Sequence, residues 1–381
     1  MKHSDFVHLH LHTEYSLLDG ACRISDVIDK AYACKMPAVA MTDHGNMFGA
    51  IEFYKTAQEK GINPIIGCET YIAPGSRLEK KSTNARDAAY HLVLLAKDEV
   101  GYKNLVQLVS SAHLEGFYYK PRIDKDILAK HSKGLIGLTS CLKGEVPNKI
   151  KEGQADLAKT ALDEYRHIFE PGDLYVELQN HGIEEQRTVN RTLMQWAKEF
   201  NLPMVATNDV HYVERQHWEA HDCMICLQTQ SLLSDEKRMR YVSEQFYLRT
   251  PEEMHELFAE VPEALTNTLA VAEKCNLLLE FGKLRFPVYQ APDGFTREHY
   301  LRHLCVQGLH DRYGIEWKKP KDEREKQIVE RVEFELKIME TTGFVSYFLI
   351  VWDFVDFAKR NGIPVGPGRG SAAGSVVAYL L

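Results

Sequence analysis

Roughly the first two hundred residues alternate between short β-rich apolar runs and amphipathic stretches, and no other feature limits the possible folds so sharply. Runs at 6–12, 37–42, 64–72, 91–96, 134–140, 173–178 and 203–207 read as strands. Helical periodicity fills most of the gaps, at 24–35, 47–60, 98–112, 154–169 and 183–200, with Ser25, Asn46 and Asp98 as candidate caps or first-turn residues. Such repetition predicts parallel strands joined by right-handed crossovers. Seven units at this spacing suit a closed barrel better than a doubly wound open sheet.

Two stretches break the pattern. Residues 75–87 are polar and charged and read as a loop, and from about residue 231 the alternation stops. Helical patterns follow at 250–275, 296–313 and 323–341, with a Pro-rich connector at 286–294. A boundary near 270–285 divides the chain into 1–275 and 276–381. The apolar helical pattern at 375–381 stops without a cap, as expected for a fragment of a longer product.

Composition narrows the classes. A net charge of −8 argues against a non-specific nucleic-acid coat. No apolar run approaches the roughly 20 residues of a membrane span, and the start lacks a secretory signal's apolar region. Eight scattered cysteines do not make a disulfide framework, so a reduced, cytoplasmic setting is expected.

The chemistry concentrates at strand ends. On a strand, His8, His10 and His12 would share one face, and three buried imidazoles in a row call for a partner such as a divalent cation. Metal-ligand residue types recur at the other strands: Asp43 and His44, Cys68 and Glu69, Cys141, then Asp209 and His211. Barrel enzymes assemble their sites from the C-terminal ends of several strands. His91 fits less neatly, because it precedes its apolar run. Cys223 and Cys226 with His217 and His221 could suggest zinc, but His221 and Cys226 fall on different helical faces, which favours packing.

HLHTEYSLLDG, MTDHGNMFG, PIIGCETYIAPGSR, TSCLKGEVP and ATNDVHYV resemble the polymerase-and-histidinol-phosphatase (PHP) domain at the N-terminus of bacterial replicative DNA polymerase III alpha subunits. The resemblance extends over essentially the whole chain. It implies an α/β fold: a distorted seven-unit βα barrel followed by a mostly helical, truncated start of a polymerase palm. It further implies up to three divalent ions, zinc or manganese with iron possible. Their ligands would be His10, His12, Asp19, His44, Glu69, His91, Cys141, Asp209 and His211. Asp19 comes from the resemblance alone, since a loop Asp before Gly otherwise reads as a turn residue. His8 is not a ligand in that pattern and is expected to be a barrel-interior histidine bonded to protein.

Several cations can clamp a phosphodiester and lower the pKa of a bound water. The resemblance implies a 3′–5′ proofreading exonuclease acting on a DNA 3′ end, with a metal-bound hydroxide as nucleophile and no protein nucleophile. Arg122 and Lys143 are candidate phosphate contacts. The Gly-rich turn 366–375 resembles the start of the palm, where Arg369, Gly370 and Ser371 would meet the incoming nucleotide. Expected partners are DNA, the remainder of the alpha chain and, through missing regions, holoenzyme subunits including the sliding clamp; no membrane is expected. Trp352, Asp353 and Asp356 read as structural. The competing readings are a stand-alone phosphoesterase and a metal-stabilised module that braces the polymerase or docks a proofreading subunit.

Overall fold

The computed structural model describes residues 3–81, 89–283, 285–366 and 368–381. Residues 82–87 of the expected loop, and Pro367 of the Gly-rich turn, lie outside the described residues. The chain forms two compact units, Met1–Leu279 and Glu280–Leu381. No single helix among the described residues is long and apolar enough to cross a membrane.

The first unit is a curled mixed sheet clothed in helices. Its strands are β1 (Ala38–Met41), β2 (Asn63–Ile72), β3 (Tyr90–Ala96), β4 (Arg122–Ile123), β5 (Leu135–Leu138), β6 (Leu174–Gln179) and β7 (Met204–Thr207). Their order is β1-β2-β3-β5-β6-β7, with β4 a short addition to β2. Segment 6–12 links the two edges. The His8 carbonyl accepts from Ala40 N–H and the Leu11 carbonyl from Thr42 N–H, while the His10 carbonyl accepts from Val210 N–H.

The all-parallel expectation needs one correction: β3 runs antiparallel to both β2 and β5. Among the described residues no helix separates β2 from β3, so there is no crossover to restore the direction, and the strand returns beside its predecessor. This explains the placement of His91. The first residues of β3 lie at the same rim as the last residues of β2, with His91 opposite Tyr71.

Period-two alternation builds the interior. Ala38 and Ala40 of β1, Ile65 of β2, Val93 and Leu95 of β3, Ile136 and Leu138 of β5, Tyr175 of β6 and Val205 of β7 pack into one apolar cluster with Val7 and Leu9. Following the same face toward the rim, two residues on from Val93, Tyr175 and Val205 and four on from Ile65, reaches His91, Glu177, Thr207 and Glu69, and His44 and Asp209 lie just beyond. The opposite faces meet the helices in a larger cluster that includes Phe53, Leu94, Leu105, Leu162 and Trp196. Each such fully buried large side chain contributes about 1.5–3 kcal/mol.

The expectation that His8, His10 and His12 share a face is also corrected. A bend at His10 interrupts the extended run. Val7 and Leu9 join the inner cluster, whereas Phe6 and Leu11 join the outer one, so the alternation changes phase between residues 9 and 10. His8 is left outside the polar rim, with Nε2 2.9 Å from the Arg249 carbonyl.

Helices form where the periodicity places them. Asp98 caps Glu99–Leu114 by accepting from Gly101 N–H, a contribution of about 1 kcal/mol. Ser25 lies in the first turn of Ile24–Ala33, behind an Arg23 cap, whereas Asn46 precedes the helix that starts after Gly49 and ties down the loop through the Tyr15 and His44 carbonyls. The second unit is mostly helical, with Arg297–Tyr313, Glu323–Thr342, Val345–Arg360 and Val376–Leu380 around Leu301, Leu309, Val332, Leu336 and Leu349.

Candidate metal centre

All nine candidate ligands meet at the rim of the first unit. Glu69, joined to His44 by a parallel β-bridge that extends the β1–β2 pairing, is the hub. Its Oε1 lies 2.8 Å from His91 Nδ1 and 3.3 Å from His10 Nε2, and its Oε2 lies 2.6 Å from His44 Nδ1. Cys141 Sγ stands 3.9 Å from Glu69 Oε1 and 3.8 Å from His91 Nδ1. Asp209 Oδ1 is 3.3 Å from His10 Nε2 and 3.2 Å from His12 Nε2. Asp19 Oδ1 reaches His44 Nε2 at 3.3 Å, and the His211 ring stacks 4.3 Å from that of His12.

Most of these groups are buried, yet several reactive atoms lack hydrogen-bond partners. Asp19 Oδ1, His44 Nδ1, Glu69 Oε2 and Asp209 Oδ1 are enclosed and unsatisfied. The His44–Glu69 contact is short but misaligned as a hydrogen bond, so the two atoms converge on common space rather than on each other. A desolvated, unpaired carboxylate oxygen costs several kcal/mol. Three overlapping sets bring ligand atoms within 4.8 Å of one another: His12, His44, His211; His10, His12, Glu69; and His44, Glu69, His91. Mixed imidazole and carboxylate donors with one thiol suit zinc, manganese or iron rather than calcium or magnesium. The donor set therefore fits divalent transition-series ions.

Electrostatics divides the imidazoles. Burial holds His12 neutral, at about 4, helped by the charge of His44. Burial likewise lowers His91 and His211. Against the same burial, Asp19 and Glu69 raise His44 to about 10, and Glu177 and Asp209 raise His10. These carboxylate–imidazole attractions are what a cation would replace, and ions bind the deprotonated forms. Asp209 and Ser140 adopt left-handed backbone, φ 44° and 64°. Held strain of this kind costs of order 1 kcal/mol and clusters at functional sites.

Several contributors escaped the sequence reading. Glu177 accepts from His10 Nδ1 at 2.7 Å and is itself held by Gln179 and Thr207, so the other ring nitrogen of His10 faces the cluster. Period-two continuation of β6 was the available signal. Tyr241 bonds His211 Nε2 at 2.7 Å and Asp19 Oδ2 at 3.2 Å, from a segment with no periodicity to expose it. A cavity of about 160 Å³ opens beside it, lined by Tyr212, Trp218, His221 and Arg240 among others.

The phosphate candidates part company. Arg122 is buried and occupied: Nε donates to the Gly116 carbonyl and a terminal nitrogen to the Arg77 and Glu79 carbonyls. Its guanidinium shapes a loop and is not presented to a substrate. Lys143 is exposed at the rim, where its carbonyl accepts from His91 N–H. His221 bonds the Asp19 carbonyl and Cys223 is exposed, so the Cys-x-x-Cys pair and its histidines do not converge. In the second unit, Arg369 precedes, and Gly370 and Ser371 begin, an exposed 3-10 turn, and among the described residues they join no polar cluster.

Comparison with known families identifies the two parts of the chain. Residues 8–181 match the PHP domain, and residues 299–381 match the bacterial DNA polymerase III alpha NTPase domain. DNA polymerase III subunit alpha of Borreliella burgdorferi is 48% identical across 99% of this chain, and that of Treponema pallidum 43% across 100%. The chain belongs to the bacterial DNA polymerase III alpha family. It spans 32% of the length of both relatives. A two-domain Bacteroides vulgatus protein with a PHP-like metal-dependent phosphoesterase overlays 70% of this chain and 65% of its own, at 17% identity and TM-score 0.36, too loosely to transfer detail.

Proposed function

We propose that this chain is the N-terminal part of a cytoplasmic DNA polymerase III alpha subunit, and that its PHP domain removes nucleotides from DNA 3′ ends as a metal-dependent proofreading exonuclease. On this reading residues 1–275 form that domain and 276–381 begin the polymerase palm. The nine rim residues would hold up to three ions, zinc or manganese, with iron compatible. Bound ions supply Lewis acidity and activate water for attack on a phosphodiester.

The chain's own residues orient and confine. Glu177 fixes the His10 tautomer, and Tyr241 steadies His211 against Asp19. The nearby hydroxyls of Ser16 and Ser140 donate to Asp43 and Glu69, which leaves neither poised as a nucleophile. Lys143 offers an exposed cation at the rim for substrate phosphate. Arg369, Gly370 and Ser371 are assigned to the incoming nucleotide of the complete polymerase, whose other partners would include the sliding clamp through regions beyond this chain.

The observation that carries the reading is the convergence of nine ligand-type residues around unsatisfied, buried atoms of Asp19, His44, Glu69 and Asp209. The test is release of 3′-terminal nucleotides from a labelled oligonucleotide with manganese or zinc. His10→Ala and Asp209→Ala should each abolish it. Activity that survives both changes would place the nuclease elsewhere. A purely bracing module would instead show a large fall in melting temperature on chelation and no nuclease activity to lose.

A further inference from the structure

The loop 116–121, Gly-Phe-Tyr-Tyr-Lys-Pro, is built against the rim. Pro121 lies over Gly45, beside His44; the space is so close that a Cβ on Gly45 would come within 2.8 Å of it. His113 Nε2 lies 2.9 Å from the Gly45 carbonyl and its ring packs near Phe117. Beneath, Arg122 holds the Gly116 carbonyl and underlies the Tyr118 ring at 5.1 Å. Tyr118 N–H donates to the Lys120 carbonyl, which closes the turn.

This fixed frame presents two aromatic rings and a cation. Phe117 is 51% exposed and Tyr119 49%. Lys120 Nζ lies 5.4 Å from the centre of the Tyr71 ring, and that same ring packs on His44 at 6.2 Å and on His91 at 5.1 Å. Lys120 is therefore one ring away from the metal cluster. Lys143, across from it, is tied to His91 by its backbone. Neither lysine pairs with a carboxylate among the described residues, although Asp19 is near enough for its charge to act on Lys120.

Single exposed aromatics are ordinary on a surface. Two of them on a pinned loop, beside a half-buried Lys120 and an exposed Lys143 that pair with no carboxylate among the described residues, and next to a cluster suited to phosphodiester chemistry, make the combination that holds single-stranded nucleic acid: cations on phosphates and rings on bases. We propose that loop 116–121 is a landing platform for a single-stranded DNA 3′ end. Phe117 and Tyr119 stack on terminal bases, and Lys120 with Lys143 directs the last phosphate toward the rim. The inference deepens the exonuclease reading and rests on it for the direction of the strand. It specifies a frayed, unpaired end as the substrate rather than a duplex or a small phosphate ester.

The test measures binding by the whole 381-residue chain, without metal, in chelator. The probe is an oligothymidylate with 2-aminopurine at the 3′ terminus, read by anisotropy and by base fluorescence. Wild-type protein should bind and quench the 2-aminopurine. Phe117→Leu with Tyr119→Gly should weaken binding roughly tenfold and abolish quenching. Leu keeps the apolar bulk, and Gly suits the left-handed backbone at residue 119, φ 58°, so an unchanged melting temperature verifies folding. Lys120→Ala should lower the salt dependence by about one phosphate contact. Equal binding and quenching by the double variant would overturn the platform, as would tighter binding of a blunt duplex. Cleavage of a small phosphodiester by wild-type protein with manganese separates the two readings. Cleavage without oligonucleotide binding sinks the platform alone, whereas binding through the loop without cleavage under any metal sinks the hydrolytic reading alone.

Discussion

The rim of the first unit and the Gly-rich turn of the second both read as phosphate-related in the sequence, but the fold treats them in opposite ways. At the rim, most of the ligand-type residues are buried and locked to strand ends by register. In the turn, Gly366, Gly368, Gly370 and Gly374 have open space around them. Among the described residues, the turn is tied at its far end, where Glu335 accepts from Ser375 Oγ at 2.8 Å and from Val377 N–H at 3.1 Å. A preorganised site has its desolvation cost covered by the surrounding fold. An exposed turn with open space around its glycines lacks that support.

The largest predicted effect lies at the rim. Replacing Glu177 by Gln keeps its shape but removes the charge that orients His10. Metal affinity measured by competition with a chelator should fall about 10–100-fold, with the nuclease activity falling in parallel. An unchanged affinity would mean that the rim is not preorganised in the way the contrast requires.

Stability should likewise separate the turn from the packed helices of its own unit. In the second unit, a Cβ at Gly308 would sit 2.1 Å from the Leu380 carbonyl oxygen, so Gly308→Ala should cost about 1–3 kcal/mol in a denaturant titration. Gly366→Ala, in open space, should stay within about 0.5 kcal/mol of wild type. Equal costs would show the turn to be more tightly packed than its surroundings indicate.

His8 sharpens the comparison within the first unit, because it is buried like the rim histidines but lies outside their cluster, with Nε2 2.9 Å from the Arg249 carbonyl. Burial depresses it to about 4, against the Arg249 carbonyl bond that raises it. Unfolded histidine titrates near 6.5. The neutral form's stabilisation is therefore complete above pH 6.5 and is lost as pH falls through about 4. The contribution is about 3 kcal/mol at most. His8→Gln should flatten the fall of melting temperature between pH 6.5 and 4; an equally steep fall would assign the acid sensitivity to other groups.

Much of this arrangement was legible before any coordinates. Runs of alternating residues located the strands, and their ends located His44, Glu69, Asp209 and His211. The direction of β3 was not legible from periodicity, which is the same whichever way a strand runs; the absence of a helical pattern in 75–87 was the usable clue. His8 was misplaced because one bend shifts the alternation, and a bend leaves no mark in residue type. Arg122 was misjudged because a buried guanidinium satisfied by carbonyls and an exposed one awaiting phosphate have the same letter. Asp19 sits in a loop, where only family likeness could single it out.

The most direct measurement is anomalous diffraction at the zinc and manganese edges from crystals of metal-loaded protein. The account predicts peaks enclosed by His10, His12, Asp19, His44, Glu69, His91, Cys141, Asp209 and His211. Metal-replete crystals with no peak there, or with peaks only among other residues, would contradict it.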